Sequence, residues 1–298
     1  MSTVYLNGTF MPMEDACIPV TDRGFLFGDG VYEVIPAYGS RLFRLPHHLQ
    51  RLQNSLAGIR LANPLSDAEW ENVLNALLAE NATETGPNEG PLGHNDQSVY
   101  LQVTRGSAAK RDHSFPADIK PTVYATSNPI AEPDPQIARQ GLAAITLDDI
   151  RWKRCDIKAT TLLANVLLRQ QAVDQQAAEA ILVHEGLATE GSASNLFVIS
   201  DGIIMTPPKS ECLLPGITRD LVLELADRHG LPHKETDIPV AQLSHADEIW
   251  ITSSTREIVP ITRLNDHAIG NGKPGETWRT ISRHYRDYKE AVRNGLAD

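Results

Sequence analysis

The chain has 298 residues, 41% of them apolar and 22% charged, with a formal charge of -11 and only three cysteines. That is enough chain for one large core or two ordinary ones, and two domains are expected. The acidic balance, with no basic stripe, disfavours nucleic acid and anionic membranes. No apolar run reaches membrane-spanning length and the N-terminus lacks the regions of a signal peptide, so a cytosolic protein is expected. Cys17, Cys155 and Cys212 form no CxxC pair, which argues against a disulfide framework or a thiolate metal site, and no metal is expected.

In chain order, Asn7-Gly8 between Val4-Tyr5-Leu6 and Thr9-Phe10-Met11 predicts a hairpin. Asp22 to Gly30 is a glycine-punctuated loop, and Val31-Tyr32-Glu33-Val34-Ile35 is a strand in which Tyr32 is either core or cleft-facing. Pro46 opens a helix with Leu49, Leu52, Leu56 and Ile59 at helical spacing; Arg51, beside that stripe, either solvates the helix edge or aims at an anion. Ser66-Asp67-Ala68-Glu69 is a capping box before a second helix. Residues 81–97 turn to Gly, Pro, Asn and acids without periodicity and are expected to be a mobile surface insertion. Strands follow at 98–105 and 121–126, joined by a loop in which Arg111 and His113 either lie exposed or hold a carboxylate together. Residues 128–135 carry three prolines and are expected to be an interdomain linker, which gives a small N-terminal domain over 1–127 and a larger one over 136–298.

Past a strand at 142–147, the stretch Arg154-Cys155-Asp156-Ile157-Lys158 leads into a helix expected over about 160–178, with Leu162, Leu163, Val166 and Leu167 as its apolar face. Lys158 either snorkels from the helix start or is buried, and burial of a lysine favours the neutral, nucleophilic amine. Strands are expected at 180–184 and 196–199, with residues 188–195 running small and polar between them. There Glu190 is either a lone turn carboxylate or the partner of a bound cation. Gly216-Ile217-Thr218 opens a helix and either caps it or offers free amides and a hydroxyl to a phosphate. A strand at 248–251 ends in Thr252-Ser253-Ser254-Thr255, four hydroxyls that suit an oxyanion or water alike, and residues 274–294 form a closing amphipathic helix.

Taken together, these groups are what pyridoxal phosphate requires. The sequence resembles the fold-type-IV aminotransferases, most closely the D-amino-acid transaminases. The matching segments are Asp22-Arg23-Gly24, Phe27-Gly28-Asp29-Gly30-Val31-Tyr32-Glu33-Val34, Val103-Thr104-Arg105-Gly106, Asp149-Ile150-Arg151-Trp152, Arg154-Cys155-Asp156-Ile157-Lys158, Thr189-Glu190-Gly191-Ser192 with Ser194-Asn195, and Gly216-Ile217-Thr218-Arg219-Asp220. The resemblance implies an α/β fold: a small N-terminal α/β domain and a larger C-terminal one with a barrel-like sheet. It implies that Lys158 holds pyridoxal 5′-phosphate as a Schiff base and shuttles the substrate proton. By the same mapping Glu190 pairs with the pyridine nitrogen, and Arg51, Ile217, Thr218, Ser253 and Ser254 hold the phosphate. Leu214 packs on the ring, and Tyr32, Arg111 and His113 receive the substrate α-carboxylate. The substrates implied are D-alanine, other D-amino acids and 2-oxo acids, with branched-chain L-amino-acid or (R)-amine transamination and aminodeoxychorismate lyase chemistry as the rivals. A homodimer is implied too, because in that family the Arg-x-His loop reaches the other subunit. Three departures stand out: Ala193 replaces a serine, Lys110 lies in a loop one residue longer, and Pro36-Ala37 follow the Tyr32 strand.

Overall fold

The computed structural model describes residues 2–82 and 96–297. The chain forms two compact units: one of residues 1–131, 157–161 and 289–298, the other of 132–156 and 162–288. The division at 131/132 falls inside the proline-rich segment. The short piece 157–161, which carries Lys158, groups with the N-terminal unit although its sequence neighbours on both sides belong to the other. Most of the 81–97 segment lies outside the described residues. Its two ends are anchored: Asn81 exchanges hydrogen bonds with the Thr3 backbone at 2.8 Å each, and the Asp96 carboxylate accepts from Gly39 N at 3.0 Å.

The first unit contains β1 (Thr3–Leu6), β2 (Thr9–Pro12), α1 (Arg23–Phe27), β3 (Gly30–Tyr38), β4 (Arg41–Leu42), α2 (Leu45–Gly58), α3 (Asp67–Glu80), β5 (Gln97–Thr104) and β6 (Thr122–Pro129). Its sheet runs β2-β1-β6-β5-β3-β4. Asn7 and Gly8 take positive φ between β1 and β2, the turn that dipeptide favours. Alternation along the strands puts Val31, Ile35, Val99, Leu101, Val103, Val123 and Ala125 on one face. There they meet Leu49, Leu52 and Leu56 of α2 and Trp70, Leu74 and Leu77 of α3. Both hydrogen bonds of the Ser66/Glu69 capping box are present at the start of α3. The region expected to be a plain loop before β3 contains α1, which Asp22 caps through Gly24 N and Gly28 ends in left-handed conformation.

The second unit contains α4 (Pro135–Gln140), β7 (Leu142–Asp148), α5 (Leu163–Asp174), β8 (Glu179–His184), β9 (Leu187–Gly191), β10 (Asn195–Ser200), β11 (Ile203–Thr206), α6 (Ile217–Arg228), β12 (His233–Glu235), β13 (Ile238–Pro239), α7 (Val240–Leu243), β14 (Glu248–Ser253), β15 (Glu257–Leu264), β16 (His267–Ala268) and α8 (Glu276–Arg293), whose last turn groups with the first unit. Six of these strands pair in the order β10-β14-β15-β7-β8-β9, and β9 pairs back to β10 through Glu190 and Asn195, so they close a ring. Ala144, Ile181, Leu196, Val198, Ile249, Ile251, Val259 and Ile261 pack together as its core.

The small, polar run 188–195 opens within β9 (Leu187–Gly191); its small residues have little strand propensity of their own, and ring closure holds them. The helix after Lys158 begins at Leu163 and ends at Asp174, and its apolar stripe is not buried: Leu163, Val166 and Leu167 are all at least half exposed, while Leu168 and Ala172 face the core. Among the described residues, no helix is long and apolar enough to cross a membrane.

Candidate active site

Lys158 does not stand at a helix start. Ala159 bridges Val31 in antiparallel register, Tyr32 N donates to Lys158 O at 2.9 Å, and Thr160 N donates to Gly30 O at 3.0 Å. The segment therefore extends the sheet along the free edge of β3. Side chains alternate across a strand, and Ile157 and Ala159 both enter the core of the first unit, so Lys158 must project to the opposite face. That face carries Tyr32, and Lys158 Nζ lies 4.2 Å from its ring centroid. Tyr32 in turn stacks on Tyr100 at 5.7 Å, and Tyr124 stands 6.4 Å beyond. Lys158 is half-buried: it is held by its backbone, with its amine at an aromatic face.

On the core face of the same strand, Glu33 is fully buried. Arg51 Nε donates to its Oε1 at 2.7 Å and Nη2 to its Oε2 at 2.8 Å, while His48 Nδ1 lies 2.8 Å from Oε2. Burial raises the Glu33 pKa, but the charge and hydrogen bonds of Arg51, with help from His48, outweigh it and hold the carboxyl well below the usual range. Burial lowers the His48 pKa against the pull of Glu33, and its Nδ1 faces the carboxylate. Arg51, an anion-site candidate from the sequence, is thus locked in plane by a carboxylate eighteen residues upstream.

Arg111 and His113 are exposed, as is Lys110. They meet on Phe27: the Arg111 guanidinium lies 4.9 Å from the ring centroid and the His113 ring 5.3 Å from it. Tyr32 keeps different company, Tyr100 and Lys158.

In the second unit, Glu190 is 4% exposed at the seam of the ring. Its Oε1 accepts from Arg151 Nη1, and its Oε2 accepts from Asn195 Nδ2 at 3.2 Å and Leu214 N at 3.1 Å. Arg151 is shared, because its Nε and Nη2 donate to Asp149 at 2.9 and 2.7 Å. Burial pushes the Glu190 carboxyl up to about 7, with Arg151 opposing, whereas Asp149, which holds the forked side of the guanidinium, is lowered despite its own burial. Asn195 also donates to Leu214 O at 2.8 Å, and a Cβ on Gly216 would lie 1.9 Å from Asn195 Oδ1, so only glycine lets this turn approach. The turn delivers the start of α6, where Ile217 and Thr218 are buried and no side chain caps the helix. Thr252, cross-strand from Asn195, is buried with no hydrogen-bond partner for its hydroxyl, and Ser253 and Ser254 follow it half-buried. Leu214 is half-buried in the same turn.

The sequence reading missed the roles of Arg151, Asp149, Asn195, Glu33 and His48. All but His48 lie in segments that carry the resemblance, but nothing in a linear sequence links Arg151 to a carboxylate 39 positions away. It also missed Glu179, which is fully buried and accepts from the Ser192 and Ser194 hydroxyls. Ala193 between them is exposed, so the departure there leaves both bonds intact.

A family model described as amino-transferase class IV matches residues 30–264. The chain belongs to the class IV aminotransferases. It is 40% identical over 278 residues to a D-alanine aminotransferase of Bacillus licheniformis, covering 93% of this chain and 94% of that protein. A D-alanine aminotransferase of Listeria monocytogenes is 38% identical over 284 residues, covering 95% and 94%. Among solved structures, the T.th. branched-chain amino acid aminotransferase with pyridoxamine 5′-phosphate superposes with a TM-score of 0.89 at 25% identity, covering 99% of this chain and 96% of that one. The mixed α/β architecture with a barrel-like ring is the fold of these class IV neighbours.

Proposed function

We propose that this class IV aminotransferase is a pyridoxal 5′-phosphate enzyme that moves an amino group reversibly from D-alanine and other D-amino acids to 2-oxoglutarate, giving pyruvate and D-glutamate. The residues present fit the cofactor. Its aldehyde needs an amine held by backbone and not by an ion pair, which is the situation of Lys158 over Tyr32. Its ring nitrogen needs a buried carboxyl as partner, and Glu190, 4% exposed, is one. Its phosphate needs unspent donors, and the second unit offers an uncapped, buried helix start and the orphaned Thr252 hydroxyl.

In this reading, Lys158 is the residue that would hold the cofactor through Nζ, and the same amine would take the proton from the substrate Cα and return it. The bound cofactor supplies the electron sink for the carbanion. Glu190 keeps a proton at the ring nitrogen, and Arg151 fixes the direction of the Glu190 carboxyl. Arg51, held in plane by Glu33, binds the phosphate together with the Ile217 and Thr218 amides, the Thr218 hydroxyl, Ser253 and Ser254. Leu214 packs on the ring. Tyr32, Arg111 and His113 receive the α-carboxylate, and Arg111 and His113 do so in the partner subunit of a homodimer.

The observation that carries the D-amino-acid assignment is the exposed Arg111/His113 pair gathered on Phe27, in a chain related over nearly its full length to D-alanine aminotransferases. A cationic trap for the α-carboxylate fixes which Cα face the lysine meets, and so selects one enantiomer. Incubation of D-alanine, and separately L-leucine, with 2-oxoglutarate tests it: D-alanine gives pyruvate and D-glutamate, and L-leucine gives no glutamate. Reaction of L-leucine alone would move the assignment to the branched-chain class, and pyruvate released from aminodeoxychorismate without an amino acceptor would move it to a lyase. Mixing Lys158→Ala and Arg111→Leu homodimers tests the shared site. Recovery of activity on mixing is expected, because heterodimers regain one intact set.

A further inference from the structure

The segment Asp22-Arg23-Gly24 holds the loop that carries Arg111 and His113. Asp22 is fully buried, and its Oδ2 accepts from the Thr104 hydroxyl at 3.0 Å and the Thr122 hydroxyl at 2.6 Å. Thr104 ends β5 and Thr122 begins β6, so one carboxylate ties both stems of the 105–121 loop. Arg23, 4% exposed, reaches its far part: Nη1 donates to Asp112 O at 2.6 Å and Ser114 O at 3.4 Å, and Nη2 to His113 O at 3.3 Å. The Arg23 Nε donates to Asp29 Oδ2 at 2.8 Å, and Arg105 secures that carboxylate from the other side at 2.8 and 3.0 Å. Phe27, one turn after Arg23 on α1, takes the Arg23 guanidinium at 4.8 Å as well as Arg111 and His113. The fit depends on glycine at two points. A Cβ on Gly24 would lie 2.3 Å from Thr104 Cγ2, and Gly106, at φ +97°, would place one 1.9 Å from Lys120 O.

The geometry points to Arg23 as the positioning residue of the carboxylate trap: by holding three successive backbone carbonyls, it fixes how Arg111 and His113 are presented. Residues 111–115 are all exposed, so they bury little that would order them. A buried forked cation on their carbonyls supplies that order in advance, and a trap ordered in advance binds more tightly than one that must be ordered by its substrate. Lysine, with one point charge, keeps the Asp29 ion pair but cannot span the carbonyls. The inference rests on the reading that Arg111 and His113 bind the α-carboxylate.

The test uses holoenzyme with Arg23→Met, Arg23→Lys and Arg111→Leu, measuring kcat and KM for D-alanine and for an amine lacking a carboxylate, and hydrogen exchange of the amides over 107–116. Arg23→Met is expected to raise KM for D-alanine about tenfold relative to the amine, with a smaller change in kcat, and to speed exchange across the loop. Arg23→Lys falls between, and decides alone if the methionine variant does not fold. If Arg111→Leu raises KM selectively for D-alanine while neither Arg23 variant alters that ratio or the exchange, the inference is overturned and the carboxylate reading stands. If Arg111→Leu acts equally on both substrates, the carboxylate reading falls and the inference with it.

Discussion

The two units each bury an arginine against a glutamate, and the two pairs titrate in opposite directions. Beneath Lys158, Glu33 receives two donors from Arg51 and a third from His48, and its carboxyl stays charged well into acid. At the ring seam, Arg151 gives the forked side of its guanidinium to Asp149 and one nitrogen to Glu190, whose carboxyl is pushed up to about 7 by burial. Residue type is the same in both places; what differs is the guanidinium donors each glutamate receives, two at Glu33 and one at Glu190, where Asp149 takes the other side of the arginine. The first arrangement suits a fixed scaffold. The second leaves a carboxyl able to hold or release a proton near neutral pH.

Removing Glu33 gives the largest expected effect on stability. Glu33→Ala removes the carboxylate that holds Arg51 and His48 in the core and is expected to cost about 3–5 kcal/mol in urea unfolding, while Glu33→Gln, which keeps the shape and one acceptor, costs less. A neutral outcome for the alanine variant would mean that Arg51 relaxes to water. Glu190→Gln is expected next, with kcat about 100-fold lower, the size typical of losing one buried electrostatic partner, and with little loss of stability at pH 5.

Asp149→Asn sharpens the contrast, because it returns Arg151 to Glu190. A carboxyl whose folded pKa is raised contributes stability below its ordinary range near 4.3 and loses it as pH rises through the folded value, here about 7. Glu33, with its pKa lowered, contributes in the opposite sense: its share is present above the ordinary carboxylate range and is lost as pH falls. Unfolding free energies of the wild type at pH 5 and pH 8 therefore contain a loss from Glu190. In Asp149→Asn that loss is expected to shrink by at least ~1.4 kcal/mol, the equivalent of one pKa unit. An unchanged difference would show that burial alone sets the Glu190 value. Ser66→Ala at the capping box of α3, outside both regions, is expected to cost about 1 kcal/mol equally at both pH values.

Local chemistry was legible in the sequence wherever it acts over a few residues. Asn7-Gly8 and Ser66/Glu69 produce their turn and cap as written, because φ > 0 and helix-start donors are decided within four positions. Lys158 was legible as a candidate but not as a conformation. Its apolar neighbours suggested a helix, whereas Ile157 and Ala159 are buried by pairing with β3, a partner more than a hundred residues upstream. The stripe Leu163, Val166 and Leu167 carries a helical period and forms a helix, yet periodicity does not say that the apolar face finds cover within the same chain. Glu190 was found by composition and resemblance, while its titration depends on Arg151 and Asp149, which only ring closure brings to it.

The most direct measurement is reduction of the purified protein with borohydride followed by peptide mapping. Strand register presents Lys158, rather than Lys153 or Lys209, on the Tyr32 face. The expected result is the mass of reduced pyridoxyl phosphate on the peptide containing Lys158 and loss of the yellow chromophore. Label on any other lysine, or none on a protein that transaminates, would contradict the account.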